Sequence, residues 1–127
     1  MGLDMYLNGN AYFHGLTDDQ LKTQPTEQIF RLGYWRKHPD LHGYIVQQFT
    51  NGEDNCQEIE LAVGDMFDII NAIQNDRLPK TAGFFFGESA NDAEQKAQAI
   101  EIFGNAIDWL LVDDKNTWRS VHYRASW

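Results

Sequence analysis

Three basic residues in a row, Arg36, Lys37 and His38, occur once in the chain, and Pro39 follows them. Proline suits the first position of a helix, so these cations fall where a strand ends and a helix begins. A helix start offers unpaired N–H groups and a partial positive charge. With the cations beside it, it suits a phosphate, a carboxylate or an acidic loop. Tyr34 and Trp35 stand next to them, with rings able to stack on a planar ligand. The competing reading puts Trp35 in the core and the cations in solvent. Strand alternation supports it, because it sends Trp35 and Arg36 to opposite faces.

His38 and His42 are four residues apart, a spacing that sets two metal ligands on one helix face. No third ligand is adjacent, so Cys56, His122 or Asp4 would have to arrive through the fold. The sequence has no CxxC, no HExxH and no calcium-loop pattern, and it assigns no metal site. A packed or capping role is the expectation for both histidines. Cys56 with a histidine is a conceivable nucleophile pair. It lies between Asp54 and Glu58, an acidic setting that does not favour a thiolate. No GxSxG, phosphate-binding loop or dinucleotide fingerprint is present. The sequence therefore names neither a catalytic residue nor a cofactor.

A second cluster depends on pairing. Residues 2–7, GLDMYL, alternate, with Leu3, Met5 and Leu7 on one face and Asp4 and Tyr6 on the other. Residues 118–127, WRSVHYRASW, alternate as well, with Val121, Tyr123, Ala125 and Trp127 opposed to Ser120, His122 and Arg124. If the two strands pair, Asp4, Tyr6, His122 and Arg124 form one polar patch. A sheet face left uncovered by helices and bearing Tyr and Arg is a plausible binding platform.

The elements that must position these residues follow from periodicity. Asn8-Gly9-Asn10 reads as a turn and residues 11–27 as an irregular loop, with a helical turn at Thr17-Asp18-Asp19. A strand is expected over 28–36. The helix 39–50 follows, with His38 at its cap, Leu41, Ile45, Val46 and Phe49 inward, and Asn51-Gly52 as its stop. Ile59, Leu61 and Val63 alternate as a third strand. Asp65 is the expected cap of a helix carrying Met66, Ile69, Ile70 and Ile73. Residues 83–87, GFFFG, read as a short buried strand or apolar loop. Ser89 or Asn91 is the expected cap of a helix over 91–112 with a stripe of Ile100, Phe103, Ile107, Leu110 and Leu111. This order predicts one α+β domain over 1–127. Its sheet is mixed or antiparallel, of about four to five strands, with three helices mainly on one face and the terminal strands side by side.

The totals restrict partners. The chain has 127 residues and a net charge of −9, which argues against direct nucleic-acid binding and against anionic membranes. Acidic residues are spread along the chain, which does not favour mimicry of a nucleic acid. Its single cysteine forbids an internal disulfide and fits a reducing cytoplasm. The opening MGLDMYLNGN does not read as a signal peptide, and no run approaches the ~20 apolar residues of a membrane span. Exposed terminal strands would permit a homodimer.

GLDMYL (2–7), GYWRKHPDLH (33–42), Asn55-Cys56, LPKTAGFFFG (78–87) and YRASW (123–127) together resemble a family of small proteins encoded by bacteriophages and prophages. The likeness covers most of the chain and brings no activity with it. It implies an accessory protein acting in the host bacterial cytoplasm, outside the virion. The functional expectation is a non-catalytic binder of a host protein or of a small anionic molecule, a nucleotide among them. The alternative is a small enzyme or metal-binding protein using His38, His42, Cys56 or His122.

Overall fold

The computed structural model describes residues 2–81, 87–90 and 92–127. The expected GFFFG element and the Asn91 cap fall wholly or largely outside the described residues. The remaining elements run β1 (Asp4–Phe13), α1 (Asp18–Leu21), β2 (Glu27–Arg36), α2 (Pro39–Thr50), β3 (Ile59–Leu61), α3 (Val63–Gln74), α4 (Ala93–Leu110) and β4 (Thr117–Ser126). The strands form one four-stranded sheet in the order β2-β1-β4-β3, and every neighbouring pair is antiparallel. The protein is α+β, with helices packed on one sheet face. No helix among the described residues is long and apolar enough to cross a membrane.

Alternation builds the covered face. Leu3, Met5 and Leu7 from the first strand region, Trp35 from β2, Ile59 and Leu61 from β3, and Val121, Tyr123 and Ala125 from β4 are buried. Against them pack Leu41 and Ile45 of α2, Met66, Ile69 and Ile73 of α3, and Ala99, Phe103 and Ile107 of α4, all in one apolar cluster. Each such side chain contributes roughly 1.5–3 kcal/mol on full burial. Leu111, expected in the α4 stripe, lies beyond the helix end and is exposed.

Several boundaries differ from the periodicity reading. Asn8-Gly9-Asn10 is not a turn: β1 continues through it to Phe13 and pairs with both β2 and β4 along its length. Pairing on both sides overrides local turn propensity. Asp65 does not cap α3. The helix begins three residues earlier, with Ala62 as its cap, and the Asp65 side chain accepts from the Ala62 N–H at 2.9 Å. Val63 is consequently helical. Asp92, rather than Ser89 or Asn91, caps α4, accepting from the Gln95 N–H at 2.8 Å. The terminal strands do neighbour each other, but at the centre of the sheet. β1 is paired on both flanks along its length, whereas β3 covers only Val121–Tyr123 of the second flank of β4.

One irregularity shapes both faces. In the β1–β2 ladder Leu7 faces Gly33 while the next residue, Asn8, faces Arg31, so Leu32 is an extra residue on β2. This is a β-bulge, and it reverses the alternation of β2 on its two sides. Two glycines at this level flatten the covered face for α4. A Cβ on Gly9 would meet the Trp109 ring at 2.7 Å, and one on Gly33 would meet Ile102 Cγ2 at 2.3 Å. Gly33→Val is therefore expected to destabilise by about 1–3 kcal/mol in urea unfolding. Gly64→Ala, inside α3 and with open space within 4 Å, should instead stabilise by up to about 1 kcal/mol.

Candidate functional site on the open sheet face

The uncovered face of the sheet carries the even-numbered residues of β1. Across β4 these align as Asp4 with Ser126, Tyr6 with Arg124, Asn8 with His122, and Asn10 with Ser120. Asp4, Tyr6, His122 and Arg124 thus share one surface, as strand pairing predicts. On the other flank Asp4 faces Arg36 and Tyr6 faces Tyr34; beyond the bulge Asn8 faces Arg31 and Asn10 faces Ile29. Arg31 was absent from the sequence-derived candidates. Simple alternation places it on the same face as Trp35, and only the extra residue Leu32 brings it to the open face. The weak signal in the sequence was a charged residue at an apparently inward position beside a glycine.

These side chains form two adjoining hollows. One, of about 280 Å³, is lined by Tyr6, Asn8, Arg31, Arg124 and Ser126. The other, of about 180 Å³, shares Asn8 and Arg124 and adds Asn10, Ile29, Glu58 and His122. The Arg31 guanidinium lies 4.6 Å from the centre of the Tyr6 ring, and its Nε–H donates to Asn8 Oδ1 at 3.0 Å. Among the described residues neither Arg31 nor Arg124 forms an ion pair with a carboxylate. The acids nearby are already engaged. Asp4 accepts from the Tyr34 hydroxyl at 2.5 Å and lies 3.8 Å from Arg36. Glu58 lies 3.0 Å from His122 Nδ1, and Ser120 Oγ is 2.8 Å from His122 Nε2. The hydrogen bond to Asp4, followed by partial desolvation, raises the Tyr34 pKa, so its hydroxyl remains a donor at neutral pH.

The strand-to-helix junction divides three ways. Arg36 turns to the open face. Trp35 is buried against Phe103, ring centres 5.3 Å apart, where it cannot stack on a ligand. Lys37 takes a left-handed backbone, φ 57°, and is exposed, while its N–H donates to Leu3 O. His38 turns inward and its side chain makes no cap bond to α2. Ser89 takes over that capping: its Oγ accepts the Asp40 N–H at 3.1 Å and lies 2.8 Å from His38 Nδ1. Asp40 Oδ1 in turn accepts the Thr81 N–H at 3.0 Å. The start of α2 is thus partly satisfied from within the protein.

His42 is the other buried histidine. Its Nδ1 is 2.6 Å from the Tyr123 hydroxyl, and its Nε2 is 2.8 Å from Asp54 Oδ2. Burial, with the Asp54 charge adding to it, pushes the Tyr123 pKa well above its ordinary value. The phenol therefore keeps its proton beside Nδ1, and Nε2 faces the Asp54 carboxylate. This chain ties the loop after α2 to the core face of β4. His122 is on the opposite face of the same strand, so the two histidines do not converge. Among the described residues no three His, Cys, Asp or Glu side chains are grouped to hold a metal ion. His38 is engaged with Ser89, His42 with Tyr123 and Asp54, and His122 with Ser120 and Glu58.

The chain matches no protein-family model, no curated protein and no solved structure. The fold and its open face define the class: an antiparallel α+β protein that presents a polar, aromatic and arginine-bearing sheet surface.

Burial lowers the His38 pKa from 6.5 to about 4, opposed only in part by Asp40. The unfolded chain therefore binds more protons than the native one between these values. The His38 contribution is present in full above pH 6.5 and is lost as pH falls through about 4. It amounts to at most roughly 3 kcal/mol. Urea unfolding of the wild type should show stability falling over this window. His38→Gln should flatten the slope; an unchanged slope would remove His38 as its source.

Proposed function

We propose that the chain is a non-catalytic binding protein that takes an anionic group on the open face of its sheet. The observation that carries this reading is the hollow where Arg31 and Arg124 flank Tyr6 and Asn8, with no carboxylate paired to either guanidinium among the described residues. In a chain of net charge −9, two such arginines across one depression are a local reversal of sign. Guanidinium groups hold phosphates and carboxylates through two parallel hydrogen bonds, and both of these are exposed on the open face. Tyr6 and Tyr34, with ring centres 5.4 Å apart, add a surface on which a planar ring can rest. The ligand class that fits both features is a small phosphorylated molecule with a planar ring, a nucleotide being the simplest. An acidic segment of a host protein is the other occupant with this chemistry. The sequence resemblance supports placing such a binder among phage accessory proteins acting in the bacterial cytoplasm.

Titration of the labelled protein with inorganic phosphate and then with AMP, followed by arginine Nε–H resonances, tests the reading. Arg31 and Arg124 should shift saturably, and AMP should bind more tightly than phosphate because of the tyrosine rings. Arg31→Ala or Arg124→Ala should each weaken binding by roughly tenfold or more, since hydrogen bonds to charged groups contribute ~1.5–3 kcal/mol. Shifts confined to surface lysines, or binding unchanged in the double variant, would overturn the assignment.

A further inference from the structure

We propose that the chain pairs with a second copy of itself through the free edge of β2, over residues 27–31, joining two four-stranded sheets into one. This inference rests on different observations from the ligand reading but shares Arg31 with it, since the pairing sets a carboxylate of the second copy against that guanidinium. In the order β2-β1-β4-β3, β2 has a neighbouring strand on one side only among the described residues. The Phe13 N–H donates to Thr26 O at 2.9 Å, which sets the phase of the ladder. Alternate residues of an antiparallel strand turn their backbone groups to opposite sides. Gln28 and Phe30 therefore bond to β1, and Glu27, Ile29 and Arg31 turn their N–H and C=O groups out to the edge.

All of residues 27–31 are exposed, and Ile29 is 67% exposed. Edges of this kind are normally blunted by Pro, by a bulge or by charged side chains, Lys above all. Within 27–31 there is no Pro and no Lys, and the two charges, Glu27 and Arg31, are of opposite sign. The regular stretch is bounded by Pro25 before it and by the bulge at Leu32 after it. Its centre is Ile29.

A two-fold axis at Ile29 gives an antiparallel pair in which Ile29 faces Ile29 of the second copy. Glu27 then faces Arg31 of that copy, and Arg31 faces its Glu27. Every outward backbone group of the stretch gains a partner, and unlike charges lie directly opposite each other, the favourable cross-strand arrangement. Moving the axis by one residue sets Arg31 against Pro25 or pushes Glu27 past the bulge. The segment is therefore complementary to itself in hydrogen bonding, in charge and in length. Ile29 and Phe30, both exposed in the single chain, gain cover in the pair.

Sedimentation velocity over a concentration series tests this. The wild type should show a concentration-dependent dimer. Glu27→Lys and Arg31→Glu should each weaken it by on the order of tenfold, and the two together should restore it, because the swap recreates unlike pairs. Ile29→Pro removes an outward N–H without touching the β1 ladder, and should abolish the dimer while leaving the circular dichroism unchanged. A monomer at every concentration, a dimer indifferent to the single charge reversals, or a double variant weaker than either single one would overturn the proposal. So would an edge that binds extended peptides of other sequence in place of itself. Glu27 lies outside the Arg31–Arg124 hollow, so Glu27→Lys separates the two ideas. Loss of the dimer in that variant with arginine resonances still responding to AMP leaves both standing; a Glu27→Lys monomer whose Arg31 and Arg124 resonances do not respond to AMP removes the ligand reading alone.

Discussion

The extra residue Leu32 in β2 is the constraint on which the rest of this surface depends. Without it, strand alternation would keep Arg31 in phase with Gly33 and Trp35, directed at α4. A guanidinium there would displace apolar contacts or be left without solvent, at a cost of several kcal/mol. With the extra residue, Trp35 stays buried on Phe103 and Arg31 turns over the Tyr6 ring. One bulge thus serves the core and the open face together. It also ends the regular part of the free edge, which confines any edge pairing to the five residues before it.

The covered face is organised around close approach and around two hydrogen-bonded histidines, while the Trp35 Nε1–H is buried without a partner among the described residues. Gly9 and Gly33 let Trp109 and Ile102 of α4 come down onto the strands. Two histidines are drawn into structural chains, His38 with Ser89 and Asp40, and His42 with Tyr123 and Asp54. Both chains join segments distant in sequence, and both occupy ring nitrogens that a catalytic or metal role would need. Buried polar networks of this sort specify a unique packing when every member has a partner. The chemistry left to the open face is that of arginine, tyrosine and amide side chains, together with His122 held between Ser120 and Glu58.

Much of the architecture is legible in the sequence because apolar alternation and helical stripes report it directly. The bounds of α2, its left-handed stop at Asn51, the half-buried character of β1 and β4 and their adjacency all follow from such patterns. The patch of Asp4, Tyr6, His122 and Arg124 follows from the same pairing. What periodicity hides is whatever depends on a neighbour. Asn8-Gly9-Asn10 has turn composition, yet strands on both sides hold it extended. Asp65 has cap composition, yet it serves from the third helical position. Ser89 caps a helix far from it in sequence. Arg31 is hidden for the same reason: its face is decided by a register shift between two strands, and no property of β2 alone records that shift.

The account rests on Arg31 standing over Tyr6 on the open face. The most direct measurement is therefore the nuclear Overhauser pattern of the Arg31 side chain in the labelled protein. Cross-peaks from its δ and ε protons to the Tyr6 ring and to Asn8 are the predicted result. Cross-peaks instead to Trp35, Ile102 or Phe103 would place Arg31 on the covered face, and would contradict both the bulge and the binding surface built on it.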